Sequence, residues 1–252
     1  MKLIKEVFSF FNDDTPYYAA SLSFFTIFAI LPLIALLIVV ISNIPAFSEH
    51  LDTMMLYILD FINPTHSTTL ANQLSSFLHN TEKLGSIGLA YLLFVFTMFF
   101  KDYEHIINKI HKVPSRAFYK SFLLYISFLI MLPILFFVFI FITTFSNISF
   151  FVYIFTSLFI WIVFMFVFMI SANTKITFVA AAFSSSITLV SLSVTKTLFG
   201  YYVSENTTYA TIYGSFSVAL FFFLWIYISW NIYLYGTKLC SILNKAQLSN
   251  EN

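Results

Sequence analysis

From Ala19 to Ser42 the chain carries no charged residue. A stretch of that length and polarity is the signature of a helix crossing the hydrocarbon core of a bilayer. Its start is marked: Asp14 or Thr15 can cap the helix, and Pro16 falls in the first turn, where a missing backbone N–H costs least. Pro32 lies mid-span and frees the carbonyl of Phe28, which in lipid has to find a partner inside the protein.

The rest of the chain follows this first span. With 60% hydrophobic and 9% charged residues over 252 positions, it lacks the polar surface of a soluble domain of that size. An all-α polytopic membrane protein is expected: one membrane domain over residues 1–252 with six transmembrane helices near 19–42, 84–100, 121–144, 148–170, 178–200 and 211–236. The first residues lack the apolar core and cleavage site of a signal peptide, so they are expected to remain.

Several segments are amphipathic. Leu3 to Phe11 reads as a short interfacial helix. In the loop 44–84, Leu51, Met54, Met55, Ile58, Leu59 and Ile62 recur at helical spacing up to Pro64, and a second such helix covers Ser67 to Asn80. The second span is expected to continue as a helix until Pro114 ends it. Pro133 interrupts the third span and frees the carbonyl of Leu129. In the fifth, Ala180, Ala181 and Ala182 precede Ser184, Ser185 and Ser186 by four residues, a small-residue face that should meet another helix. Trp225, Tyr227, Trp230, Tyr233 and Tyr235 gather late in the sixth, as an interfacial belt would. The 35 phenylalanines read as lipid-facing and interhelical filler.

Basic residues set the orientation. With a cytoplasmic N-terminus, Lys2, Lys5, Lys101, Lys109, Lys112, Arg116, Lys120, Lys175, Lys238 and Lys245 all lie inside, and only Lys83 lies outside. Both termini are therefore expected in the cytoplasm, with loop 44–84 on the outer side. Lys196 is the one ionisable residue lodged within a span. It is a functional candidate unless it snorkels to the nearby interface.

Chemistry is sparse. The five glycines form neither a phosphate loop nor a dinucleotide fingerprint, and no C-x-x-C or H-E-x-x-H occurs. Cys240, the only cysteine, reads as a packing thiol. Asp102, Glu104, His105 and His111, with Asp13 and Asp14 nearby, would be needed for metal-assisted phosphodiester cleavage. Lys101, Glu104, His105, Asn108 and His111 also trace what reads as the solvated face of a helix, which explains them without an ion. No catalytic residue, metal, cofactor or nucleic-acid partner is expected. The substrate-path candidates are Lys196, Pro32, Pro133, Asp13 and Asp14.

The acidic pair Asp13 and Asp14 before Ala19-Ala20-Ser21-Leu22-Ser23-Phe24, the Leu31-Pro32-Leu33 of the first span, Asn63-Pro64 in the outer loop, and Tyr213-Gly214, Trp225, Tyr227 and Gly236 in the last span together resemble the YihY/BrkB family of bacterial inner-membrane proteins, once labelled ribonuclease BN. The resemblance covers nearly the whole chain. Phe24 stands where the family usually has tyrosine, and Lys238 where a glutamate commonly follows the final glycine. The resemblance implies six helices with both ends inside. It also implies a non-enzymatic envelope role, moving or organising a lipid or other amphiphile, with membrane lipids as partners, an anionic amphiphile as substrate, and an oligomer as an open option. The alternatives are a membrane-embedded phosphodiester hydrolase, as the old label has it, or a structural membrane partner.

Overall fold

The computed structural model describes residues 13–42, 72, 76, 85–145, 149–214 and 216–250. Side chains 30–42 and 132–133 within helices are among those outside the described set, so Pro32 and Pro133 are placed by backbone only. The amphipathic segments at Leu3–Phe11 and 51–62, Pro64 and Lys83 lie outside it as well. Of the second amphipathic segment, expected over 67–80, only Asn72 and Ser76 are described, both helical and exposed.

The described residues form seven α-helices and no strand: α1 Thr15–Ser42, α2 Gly85–His111, α3 Phe118–Phe145, α4 Ser149–Ser171, α5 Phe178–Glu205, α6 Thr207–Tyr213 and α7 Phe216–Asn250. Among them, Ile154–Ser171, Phe178–Glu205 and Phe216–Ser249 are long and apolar enough to cross a membrane. The central helix is α7, which packs against α1, α2, α5 and α6; α4 lies on α5, and α3 closes the bundle against α1, α2 and α4.

Local chemistry accounts for the helix ends. At the start of α1 it is Asp13, rather than Asp14 or Thr15, that caps: its carboxylate accepts from Thr15 N at 3.1 Å. Helix α2 runs past the expected span to His111 and stops in a Schellman turn, with Lys112 N–H donating to Lys109 O at 3.1 Å and Val113 N–H to Asn108 O at 3.0 Å. Lys112 takes the left-handed position (φ 59) that glycine usually fills. Thr177 caps α5, its hydroxyl accepting from Ala180 N.

The last span departs from the sequence expectation at both ends. Gly214, at φ +53, separates α6 from α7, so Thr211 to Tyr213 belong to a different helix. Beyond Lys238, where a short polar tail was expected, α7 stays helical to Asn250. Asn244 fixes this extension to the α4–α5 turn, accepting from Thr177 N at 2.8 Å and donating to Lys175 O at 3.0 Å, and Gln247 meets the Thr177 hydroxyl. At 35 residues α7 is about 52 Å long, well beyond a hydrocarbon core of roughly 30 Å.

The small-residue face of α5 meets its neighbours as its spacing predicts. Ala180, Ala181, Ser184, Ser185 and Thr188 are buried, and Gly236 of α7 sits directly against Thr188. Such residues let backbones approach closely where lipid supplies no hydrophobic drive between helices.

Candidate functional site

Six helices line a half-open chamber of about 620 Å³, a volume typical of small-ligand sites. Each wall is one face of a helix. Leu189, Leu192, Ser193 and Lys196 line it from α5, and Phe222, Trp225, Ile226, Ser229, Trp230 and Tyr233 from α7; both sets recur every three to four residues. Along α7 this stripe covers roughly 16 Å. Thr26 of α1, Phe99, Phe100 and Tyr103 of α2, Phe128 of α3 and Phe164 of α4 complete much of the enclosure.

Most polar atoms in the wall already have partners. The Trp230 indole N–H donates to Thr26 Oγ1 at 2.8 Å, and Thr26 donates in turn to Leu22 O at 2.7 Å. Ser229 donates to Trp225 O. At one end Tyr103 and Tyr233 bring their hydroxyls within 2.5 Å of each other, and Tyr103 lies 2.7 Å from Ser171 Oγ. Because Ser171 donates to Val167 O at 2.6 Å, Tyr103 donates to Ser171, and Tyr233 donates to Tyr103. The chamber surface is therefore apolar and aromatic, with the half-buried Lys196 as its ionisable ammonium.

Below the tyrosines lies a second layer of polar contacts. Arg116 spreads its guanidinium over the end of α4, donating to Ile170 O (2.8 Å), Ser171 O (2.9 Å) and Ala172 O (2.5 Å), and it stands 3.4 Å from Glu104. Glu104 accepts from Tyr125 Oη at 2.5 Å and from Asn108 Nδ2 at 3.4 Å, while Asn108 Oδ1 accepts from Asn173 N at 2.7 Å. These contacts correct the sequence reading of this face. Lys101 and His105 are exposed, but Glu104, Asn108 and His111 are buried: Tyr125 of α3, Arg116 and Asn173 supply partners to the first two, and α4 and α7 border His111.

His111 faces a void too small for water beside Ser171, Tyr233, Thr237 and Cys240. Its Nδ1 lies 3.1 Å from Ile107 O, an acceptor, so Nδ1 carries the hydrogen; Nε2, buried, has no partner. Burial pushes this imidazole below the usual histidine range; the bond to Ile107 O opposes the shift without cancelling it, and the nearby Lys245 charge adds a little to it.

The sequence candidates separate in space. Lys196 lines the chamber. Pro32 and Pro133 lie inside α1 and α3, with side chains outside the described residues. Asp13 pairs with Lys238 at 2.6 Å, joining the start of α1 to α7, and Asp14 accepts from Tyr18 Oη at 3.3 Å. Burial alone would raise the Asp13 carboxyl, but hydrogen bonds from Lys238 and Thr15 outweigh it and hold the group below its usual range. Among the described residues, no three of His, Cys, Asp and Glu converge as metal ligands would. Of the family-motif residues, Asp14, Tyr213 and Gly214 are exposed, Trp225 lines the chamber, Tyr227 is half-buried, and Gly236 is buried. The aromatic belt expected late in α7 is also corrected. Trp225, Trp230 and Tyr233 face the chamber, since α7 continues far past them and they do not mark its end.

Comparison with known proteins agrees with the membrane character of this bundle. Residues 7–252 match the family model described as virulence factor BrkB. Relatives include UPF0761 membrane proteins of Pseudomonas paraeruginosa (29% identical, 95% of this chain and 62% of the relative) and Azotobacter vinelandii (28%, 96% and 63%). A UPF0761 membrane protein of Kangiella koreensis is 26% identical over 98% of this chain and 65% of its own. The chain thus spans somewhat under two thirds of the length of these relatives. No solved structure matches.

Proposed function

We propose that this chain, which belongs to the virulence factor BrkB family, is a non-enzymatic protein of the bacterial inner membrane that moves or organises an anionic amphiphile through its central chamber. In this reading six helices span the bilayer, both termini are cytoplasmic, and the Arg116 end of the bundle faces the cytoplasm. Ten of the twelve basic residues then lie on the cytoplasmic side.

The observation that carries the proposal is the pairing of Lys196 with an otherwise apolar wall. An ionisable residue inside a span is costly, and its usual uses are substrate or ion contact. The stem of Lys196 and the rings of Phe222 and Trp225 suit an acyl chain, while the ammonium suits a phosphate or carboxylate. A headgroup contact of this kind is worth about 1.5–3 kcal/mol, or roughly 10- to 100-fold in affinity.

The test is complementation of a deletion phenotype such as envelope sensitivity, with protein levels checked in parallel. Lys196→Met is expected to abolish function while leaving expression and helix content close to wild type. Lys196→Arg should retain part of it, since the charge remains but the larger planar group fits differently. Full complementation by Lys196→Met would reduce Lys196 to an interfacial anchor and remove the headgroup contact from the proposal.

A further inference from the structure

At one end of the chamber two tyrosine hydroxyls meet, and a histidine bordering the same tyrosine can take up a proton. We propose that the Tyr103–Tyr233 hydroxyl pair is the cytoplasmic gate of the chamber, and that protonation of His111 beneath it opens the gate. The inference rests on the chamber reading and adds sidedness and a trigger to it.

Three observations support it. Tyr103 and Tyr233 line the chamber, and Tyr233 also lines the void beside His111, so it borders both spaces. The hydroxyl chain Tyr233 to Tyr103 to Ser171 ties α7, α2 and α4 together at this level, so α7 cannot move away from α2 without breaking it. The buried Nε2 of His111 is a bare lone pair with no room for water, and such a group is the natural proton acceptor of this layer.

The chemistry is a single proton transfer. When the packing opens transiently, a hydronium ion from the cytoplasmic solvent reaches Nε2; one of its O–H bonds breaks, leaving water, an N–H bond forms, and the imidazole becomes imidazolium. Tyr233 and Cys240 of α7 face it across the void, and Lys245, further along α7, is the charge that acts on it; α4 contributes Phe168 and Ser171, which do not titrate. The carboxylate of Glu104 is already engaged by Arg116, Tyr125 and Asn108. An imidazolium in a void without water is strongly unfavourable. Hydrating it requires the last turn of α2 to part from α7, and this parting breaks the tyrosine pair. The sign is consistent: the closed packing holds neutral His111, so it is favoured above the ordinary histidine pKa, about 6.5, and weakens as pH falls through that value.

The test uses full-length protein in proteoliposomes with Cys240→Ser as background and Ser193→Cys, in the chamber wall, as the reporter. A charged, impermeant methanethiosulfonate is added on the Arg116 side between pH 8 and pH 5.5. Rates are divided by those of the same protein carrying His111→Gln, which cancels the reagent's own pH dependence. A ratio near one at pH 8, rising several-fold by pH 5.5, is expected. Tyr233→Phe, and independently Tyr103→Phe, should raise labelling several-fold at pH 8. A flat ratio would overturn the His111 trigger, and unchanged labelling in both phenylalanine variants would overturn the gate. The reagent is then added on the opposite side as well; if the reporter reacts from neither side in any variant, the chamber itself is not a substrate path and the reading beneath this inference fails.

Discussion

Arg116→Ala is expected to destabilise the protein strongly. The guanidinium satisfies three consecutive carbonyls at the end of α4 and stands beside the buried carboxylate of Glu104. Removing it strands acceptors that α4 cannot satisfy itself, because the last carbonyls of a helix have no intrahelical partners. It also leaves Glu104, only 3% exposed, without its cation. Breaking a buried ion pair from one side costs about 3–5 kcal/mol, which lowers the unfolding midpoint by roughly 10 °C or more in a chain of this size. Arg116→Lys should recover little, since one ammonium cannot fork across three carbonyls. Adding Glu104→Gln to Arg116→Ala should restore part of the loss by removing the uncompensated charge. Thermal unfolding in detergent followed by circular dichroism reads all four proteins. Equal midpoints for Arg116→Ala and wild type would mean that the guanidinium holds nothing together.

The second large effect is at Gly236. In most helix interiors Gly→Ala gains up to about 1 kcal/mol from helix propensity. Here the new methyl would overlap Thr188 Oγ1 and come within 3.1 Å of Thr188 Cβ and 3.3 Å of the Phe168 ring. Rotating Thr188 gives no relief, because its Cβ is itself too close and its hydroxyl is bonded to Ser184 O at 2.7 Å. Helices α5 and α7 have to separate, and overpacking of this kind costs about 1–3 kcal/mol. The overlap therefore outweighs the propensity gain. Gly236→Ala should lower the unfolding midpoint, Gly236→Leu should abolish folded protein in the membrane, and Thr188→Ala should partly rescue Gly236→Ala. A stabilised Gly236→Ala would show that the α5–α7 contact is looser than its geometry.

What the sequence made legible divides along physical lines. Helix existence was readable because uncharged runs and 3.6-residue periodicity leave few alternatives in lipid. The contact face of α5 was readable because Ala180, Ala181, Ser184 and Ser185 are too small to serve anything but close approach. The face of α2 was misread: Glu104, Asn108 and His111 have the spacing of a solvated stripe, and periodicity does not distinguish water from Arg116, Tyr125 and Asn173, which arrive from other elements. The chamber itself was invisible. Phe99, Phe100, Phe128 and Phe164 look identical in sequence to lipid-facing phenylalanines, and Trp225, Trp230 and Tyr233 resembled an interfacial belt only because the continuation of α7 to Asn250 was not anticipated. Lys196 was identifiable because a lone charge in an apolar span stands out, whereas the wall opposite it did not.

The central claim is that an anionic amphiphile occupies the chamber, and site-specific photocross-linking tests it most directly. A benzophenone side chain replaces Leu192, which faces the chamber, or Val190 two residues earlier on α5, which is 63% exposed on the outer surface of the bundle. After irradiation in native membranes, mass spectrometry of the purified protein identifies the adducts. The account predicts that position 192 captures anionic amphiphiles in excess of their share of the membrane, that Lys196→Met removes this excess, and that position 190 samples bulk lipid with or without Lys196. Adducts at 192 that mirror bulk composition, unchanged by Lys196→Met, would contradict it.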